Sequence, residues 1–257
     1  MTEREKSQLD EQGYVVLHRF MSGAYLQEVC DRVEELFIEE GGRAGSEFKQ
    51  EEQTRRLANL VDKGEVFRQA VVMPEILERV EHVLGADFKL SSLNVRSANP
   101  HSDWTQPLHA DMGLVPDAKG NAVCNTLWML DEFTRENGAL RLVPGTHRAG
   151  KVPQDVLADP KAPHPDEILV TAPAGTVVVM NAHLWHGGTA NRTERQRRAM
   201  HGFYCRGDIA QQQYQRKLLS PETVAALTPE LRKVLALDDS RNDSLSAVGS
   251  GRSGFLR

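Results

Sequence analysis

A double-stranded β-helix, or jelly roll, flanked by helices is the fold class that this 257-residue sequence predicts. Three observations predict it. From Phe88 to about residue 206 the chain is a series of short apolar runs broken by turn residues, the texture of an all-β sandwich or barrel. Before Phe88 the apolar residues recur at helical spacing, and after residue 207 the helical period returns. A single domain is expected, divided into a helical buttress at about 1–86, a jelly-roll core at about 87–207, and a C-terminal helical segment with a tail at 208–257.

Taken in order, Gly13-Tyr14-Val15-Val16-Leu17 reads as a short strand. Ser22 is placed to cap a helix that runs to about Glu40 and stops at Gly41-Gly42. Leu26, Val29, Val33, Leu36 and Phe37 form its apolar face. Residues 42–65 are polar and carry no clear period. Pro74 opens a second helix bearing Ile76, Leu77, Val80, Val83 and Leu84, and Gly85 ends it. Strands are expected at 88–98, 107–112, 122–131, 139–143, 167–172, 175–181 and 196–206. Turn residues such as Lys119-Gly120-Asn121, Glu136-Asn137-Gly138 and Pro144-Gly145 separate them. The Pro-rich connection 144–166 is long enough to serve as a lid or binding loop. Residues 218–237 return to helix, opened by Ser220-Pro221-Glu222-Thr223 and interrupted by Pro229, and the Ser/Gly-rich stretch 240–257 is expected to be mobile unless Phe255-Leu256 docks.

Composition narrows the functional classes. The chain is 40% hydrophobic and 26% charged with a net charge of −5, ordinary for a globular protein of this size. Its longest basic cluster is Arg195-Gln196-Arg197-Arg198, which argues against nucleic acid as the main partner. No apolar run approaches the roughly 20 residues that span a membrane, and the N-terminus lacks the apolar centre of a signal peptide. Three scattered cysteines, Cys30, Cys124 and Cys205, fit neither a zinc site nor a disulfide framework. A cytoplasmic protein acting on a small molecule is expected. The sequence carries no signal for oligomeric state.

The stretch Gln106-Pro107-Leu108-His109-Ala110-Asp111 carries the chemistry. In a strand, residues i and i+2 share a face, so His109 and Asp111 would offer an imidazole nitrogen and a carboxylate oxygen side by side. With a second histidine they would make the two-His-one-carboxylate set of non-haem Fe(II) oxygenases. His-x-Asp occurs three times, at His101, His109 and His164. The first copy lies in a turn-like polar run, and the third encloses Pro165 in a Pro-rich segment that makes a poor central strand. The third ligand is sought in Asn181-Ala182-His183-Leu184-Trp185-His186-Gly187-Gly188, after the apolar run Thr176–Met180. A histidine at the end of a rigid strand, next to small glycines, can face a metal uncrowded, and His183 and His186 both qualify on that ground. His147 fits a structural turn, His201 faces either pocket or core, and Arg195 and Arg198 read as solvated or ion-paired charges.

The run His186-Gly187-Gly188-x-x-Asn191-x-Thr193-x-x-x-Arg197 resembles the distal motif of the phytanoyl-CoA dioxygenase family of Fe(II)/2-oxoglutarate oxygenases. The segments Trp128–Asp131 and Asn137–His147 resemble the family's central region, and the likeness extends over about residues 12–206. It implies that His109, Asp111 and His186 bind iron, that Arg197 pairs with the distal carboxylate of 2-oxoglutarate, and that Trp128 lines the cosubstrate pocket. Asn94, Gln106 and Thr189 are further candidates for that pocket, and Arg96 would face cosubstrate or substrate. The implied cofactors are Fe(II), 2-oxoglutarate and O2. The implied reaction is hydroxylation of a small-molecule metabolite with release of succinate and CO2. Desaturation, cyclisation or epimerisation by the same cofactors is an alternative, and a non-catalytic jelly-roll binding module is another. Related halogenases carry a small residue where this chain has Asp111, so halogenation is disfavoured. Segments 42–66, 96–106, 114–121 and 144–166 are expected to select the substrate.

Overall fold

The computed structural model describes residues 1–47 and 53–249. Two antiparallel sheets face one another, and helices cover the outer side of the larger. The N-terminal helices are α1 (Glu3–Glu11), α2 (Gly23–Glu40), α3 (Glu65–Val71) and α4 (Pro74–Leu84). Helix α1 escapes the sequence reading, although Thr2-x-x-Glu5 is a capping box that marks its start: Glu5 N–H donates to Thr2 Oγ1, and Thr2 N–H donates to Glu5. Ser22 caps α2 by accepting from Tyr25 N–H at 3.2 Å, as its place in the sequence suggests.

The strands are β1 (Tyr14–Leu17), β2 (Thr54–Leu57), β3 (Phe88–Ala98), β4 (Val123–Met129), β5 (Leu140–Val143), β6 (Ile168–Val170), β7 (Val177–Asn181), β8 (Trp185–Gly188) and β9 (Arg197–Arg206). The larger sheet has the order β1-β7-β4-β9-β3-β2, and the smaller β6-β5-β8. Strand alternation divides the larger sheet into two faces. Cys124, Trp128, Val177, Val179 and Tyr204 point outward into a core shared with Val29, Val33, Phe67, Val80 and Leu231 of the helical side. Leu127, Met129, Val178, Met180 and Ala199 point inward, toward Leu140, Leu142 and Val170 of the smaller sheet. This is the double-stranded β-helix that the sequence predicts.

Four expectations are corrected. Residues 107–112 do not form a regular strand: the stretch pairs with β8 through one bridge, His109 to His186, and then turns through a short 3-10 segment at Asp111–Gly113. Pro107 has no N–H to extend the ladder. Residues 218–237 break into short helices, α6 (Gln215–Leu218), α7 (Pro221–Ala226) and α8 (Pro229–Val234), preceded by α5 (Pro153–Val156) in the long connection. Ser220-Pro221 and Thr228-Pro229 each cap and restart a helix, with the hydroxyls accepting from Thr223 and Leu231 N–H. The tail is ordered through α9 (Ser240–Gly249), where buried Asn242 donates to Gln211 and Tyr214 donates to Asp243 at 2.7 Å. Phe255 and Leu256 lie outside the described residues. Finally, connection 144–166 is pinned rather than loose. Leu108 N–H donates to Pro160 O at 2.8 Å, Gln154 donates to Leu108 O, and buried Arg141 donates to Lys161 and Ala162 carbonyls.

Candidate active site

The site forms where the stretch 106–111 lies along β8. Gln106 N–H donates to Gly188 O at 2.9 Å, His109 N–H to His186 O at 2.9 Å, and His186 N–H to His109 O at 3.0 Å. Gly187 makes this approach feasible, because a Cβ there would sit 2.8 Å from the Gln106 carbonyl oxygen. After Ala110 the chain turns through Met112, whose φ is 58°, and Asp111 N–H is caught by Ala182 O at 2.8 Å. His109 and Asp111 therefore converge through an extended step and a turn, not through strand alternation. Their ligand atoms and that of His186 all lie within 4.8 Å of one another, and all three residues are buried. His109 Nε2 is 3.6 Å and His186 Nε2 3.7 Å from Asp111 Oδ1.

The surroundings aim each donor. His109 Nδ1 lies 3.0 Å from Pro107 O, and His186 Nδ1 lies 2.8 Å from Leu184 O. A carbonyl only accepts, so Nδ1 carries the proton in both rings and the Nε2 lone pairs face each other. Asn125 Nδ2 donates to Asp111 Oδ2 at 3.0 Å, which leaves Oδ1 toward the imidazoles. Burial and the neighbouring His109 pull His186 down to about 4 despite Asp111, so its imidazole is neutral at pH 7. Burial pushes the Asp111 carboxyl up, but the two histidines and Asn125 outweigh it and hold the group well below the usual carboxylate range. Two imidazoles and one carboxylate on one side of a small space fit a divalent iron that retains open positions.

A cavity opens from these ligands and reaches Arg197 on β9. The Arg197 guanidinium lies over the Phe133 ring, 4.2 Å from its centroid, and its Nε is buried without a hydrogen-bond partner. Burial, with Arg96 adding to it, pulls Arg197 down to about 9, which still leaves it charged at pH 7. No carboxylate among the described residues forms a salt bridge with it. A partly buried cation lacking a protein counter-ion suits an anionic ligand. Arg198, one residue on, faces the opposite side and is held by Asp131 and Glu34. Arg195 is exposed.

Asn94, Gln106 and Thr189 line the same cavity, as do Arg96, Arg56 and His201. Trp128 does not, and that expectation is corrected. It lies between inward-facing Leu127 and Met129 on β4, so it points to the helical side. There it stacks edge-on against Phe20 at 5.8 Å and donates Nε1–H to Thr126 Oγ1 at 3.0 Å. His183 is structural: Nε2 accepts from Ala122 N–H at 2.9 Å and Nδ1 donates to Leu114 O at 2.9 Å. The other His-x-Asp copies stay at the surface, with His101 beside Glu194, Asp103 beside Arg192 and His164 Nδ1 accepting from Asp166 N–H. His147 packs over Gly13 with Nε2 3.2 Å from Asp10 O. Asn125 and Arg56 escape the sequence reading. A lone amide in the apolar strand Val123–Met129 is the signal that could have found Asn125. Of the segments expected to select the substrate, 42–66 and 96–106 contribute to the cavity, whereas 114–121 and 144–166 do not.

Comparison with known proteins agrees with this geometry. Residues 9–199 match the family model described as phytanoyl-CoA dioxygenase. Dioxygenase aneA of Aspergillus aculeatus is 30% identical over 251 residues, which cover 88% of this chain and 80% of that one. L-proline trans-4-hydroxylase of Streptomyces griseoviridis is 25% identical over 229 residues, covering 73% and 80% of the two chains. The crystal structure of HygX from Streptomyces hygroscopicus with nickel and 2-oxoglutarate bound shares the fold, with a TM-score of 0.65 at 18% identity over 82% of this chain and 89% of that one. The family match spans most of the chain and contains the whole His-Asp-His cluster and Arg197, and further relatives carry the iron and 2-oxoglutarate dependence in their names: the chain belongs to the phytanoyl-CoA dioxygenase family and is a dioxygenase that uses Fe(II) and 2-oxoglutarate.

Proposed function

We propose that the chain, acting as one dioxygenase domain, hydroxylates a small-molecule metabolite with release of succinate and CO2. The observation that carries this reading is the intact set of three buried ligands facing the cavity that also holds unpaired Arg197. His109 Nε2, His186 Nε2 and Asp111 Oδ1 hold Fe(II), their directions set by Pro107 O, Leu184 O and Asn125. Arg197 presents its fork to the distal carboxylate of 2-oxoglutarate, and Gln106, Thr189 and Asn94 flank that path. Fe(II) with 2-oxoglutarate and O2 supplies the oxidative decarboxylation that delivers one oxygen atom to an unactivated C–H bond of the substrate.

The remaining residues shape and dry the site. Leu127, Phe133, Leu140 and Met180 give the cavity an apolar wall that excludes water and strengthens the Arg197–carboxylate pairing. Asp111 occupies the ligand position that a halide would need, which favours oxygen transfer over halogenation. The trans-4-hydroxylase relative favours hydroxylation, while a carbocyclase and an epimerase among the solved neighbours keep ring closure and epimerisation as the alternatives that the test must separate.

The test is incubation of the Fe(II)- and 2-oxoglutarate-loaded protein with a metabolite panel, adding labelled O2 in chloride buffer and measuring succinate. A metabolite that raises succinate release and gains one labelled oxygen is the expected result. An unlabelled, dehydrogenated product would move the reading to desaturation, and a chlorinated one would refute it. Ligand binding with no succinate from any condition would favour the binding module.

A further inference from the structure

A β-bulge interrupts the pairing of β3 with β9 between Leu90 and Ser92. The chain after β9 docks on it. Gln211 Nε2 donates to Leu90 O at 2.8 Å, Gln212 N–H to Ser91 Oγ at 2.8 Å, and Gln213 N–H to Ser91 O at 2.9 Å. Gln213 is buried, and the orientation of its amide is fixed by a group with only one role. Leu93 N–H can only donate, and it meets Gln213 Oε1 at 3.3 Å. The other end of the amide is then Nε2, which donates to Asn94 Oδ1 at 2.8 Å. With Oδ1 occupied, Asn94 presents Nδ2 and its two hydrogens. Asn94 lines the cavity, and no acceptor among the described residues takes those hydrogens.

The relay therefore has a direction, from the β3 backbone through Gln213 and Asn94 into the cavity. Asn94 lies across from His201 on β9, and His201 shares its strand face with Arg197 four residues earlier. The Asn94 donors thus flank the route from the iron ligands to Arg197, where the proposed cosubstrate runs. We propose that Gln213 is a positioning residue of the cosubstrate site, locking Asn94 with its N–H donors toward a carboxylate oxygen of 2-oxoglutarate. Gln213 lies beyond residues 9–199, so the residue that orients Asn94 comes from the part of the chain outside the family match. The inference rests on reading His109, Asp111, His186 and Arg197 as the Fe(II)–2-oxoglutarate centre.

The experiment titrates 2-oxoglutarate anaerobically into the full chain loaded with Fe(II) and follows the visible charge-transfer absorption of the chelate. Asn94→Ala removes a hydrogen bond to a charged group and should raise Kd about tenfold or more. Gln213→Glu still accepts from Leu93 N–H but offers Asn94 an acceptor, which turns the Asn94 carbonyl toward the cosubstrate carboxylate. Its Kd should rise at least as much with iron affinity unchanged. In the Asn94→Ala background the same substitution should add less than about twofold, since Gln213 acts only through Asn94. Gln213→Met removes the relay without burying a charge and serves if the introduced carboxylate prevents folding; a rise of about threefold or more is expected. Wild-type affinity in both Gln213 variants, or an undiminished Gln213→Glu effect without the Asn94 amide, would overturn the inference. Arg197→Ala runs in parallel: its failure to weaken 2-oxoglutarate would sink the reading of the centre itself, whereas a strong Arg197→Ala effect beside a silent Gln213 pair would sink the relay alone.

Discussion

Gly187→Ala tests how the three proposed iron ligands are brought together. A Cβ at this position would lie 2.8 Å from Gln106 O and 3.1 Å from Pro107 O, against the 3.4 Å at which ordinary contact begins. The shortfall to Gln106 is about 0.6 Å (3.4 − 2.8), and the obstruction is backbone, which cannot swing aside. The stretch 106–109 must lift from β8, straining the Gln106–Gly188 bond and both bonds of the His109–His186 bridge. Overpacking of this kind costs about 1–3 kcal/mol. Taking about 2 kcal/mol as the middle gives a fall in Tm of roughly 4–8 °C for a chain of this size. The iron site suffers separately, because His109 rides on the displaced stretch. Perturbing groups that only support a ligand already costs roughly 10–100-fold in metal affinity, which sets the scale expected here. Anaerobic Fe(II) titration and thermal unfolding of the metal-free protein measure the two effects. Gly188→Ala is the control, since its Cβ would meet only the Gln106 side chain at 3.7 Å. Wild-type iron affinity and Tm in Gly187→Ala, or equal damage from Gly188→Ala, would refute the reasoning.

Four further predictions concern the site and its surroundings. His109→Ala, Asp111→Ala and His186→Ala should each abolish iron-dependent succinate release in folded protein, while His101→Ala and Asp103→Ala retain it; an inactive His101→Ala beside an active His109→Ala would mean the wrong His-x-Asp had been chosen. His183→Ala should keep turnover but lose about 1–3 kcal/mol of stability, because it orphans the buried Ala122 N–H. Arg197→Ala should weaken 2-oxoglutarate by about 2–5 kcal/mol, the range for a buried charge pair rather than a surface one, with Arg197→Lys recovering only part; normal affinity there and a defect in Arg198→Ala would shift the assignment by one residue. Asn125→Ala should cost roughly 10–100-fold in iron affinity by freeing Asp111 Oδ2, read by the same titration.

How much was legible in the sequence depends on whether a feature was local. The strand texture from Phe88 onward placed most strands to within two residues, because alternation and turn chemistry are written in neighbouring residues. Ser22 and Gly85 delimited their helices for the same reason. The geometry at 106–111 was not legible as a strand, because its pairing with β8 depends on Gly187, far along the chain. Asn125 and Gln213 act on Asp111 and Asn94 through folded contacts, and neither carries a local pattern. Thr2-x-x-Glu5 is as local a signal as Ser220-Pro221, which opens α7, and Pro229, which interrupts the helical run, and it marks the start of α1.

Trp128 shows where family likeness and strand geometry part. The resemblance assigns it to the cosubstrate pocket, but Asn125 and Leu127 face the cavity, so the alternate residues of β4 face away from it. Trp128 instead fills the helix-side core, fully buried against Phe20 and bonded to Thr126, whose hydroxyl in turn donates to Gly202 O at 2.9 Å. Its removal should therefore appear as lost protein rather than lost affinity. Trp128→Phe, which keeps an aromatic ring but leaves a gap and deletes the Nε1–H donor, should destabilise by about 1–3 kcal/mol. Urea unfolding gives that number, and anaerobic titration of the folded fraction should return the wild-type Kd for 2-oxoglutarate. The two faces of the sheet make the outcomes separable: helix-side substitutions move the unfolding midpoint, cavity-side substitutions such as Arg197→Ala move ligand affinity. A tenfold weaker 2-oxoglutarate complex in Trp128→Phe at unchanged stability would reverse the assignment and return Trp128 to the pocket.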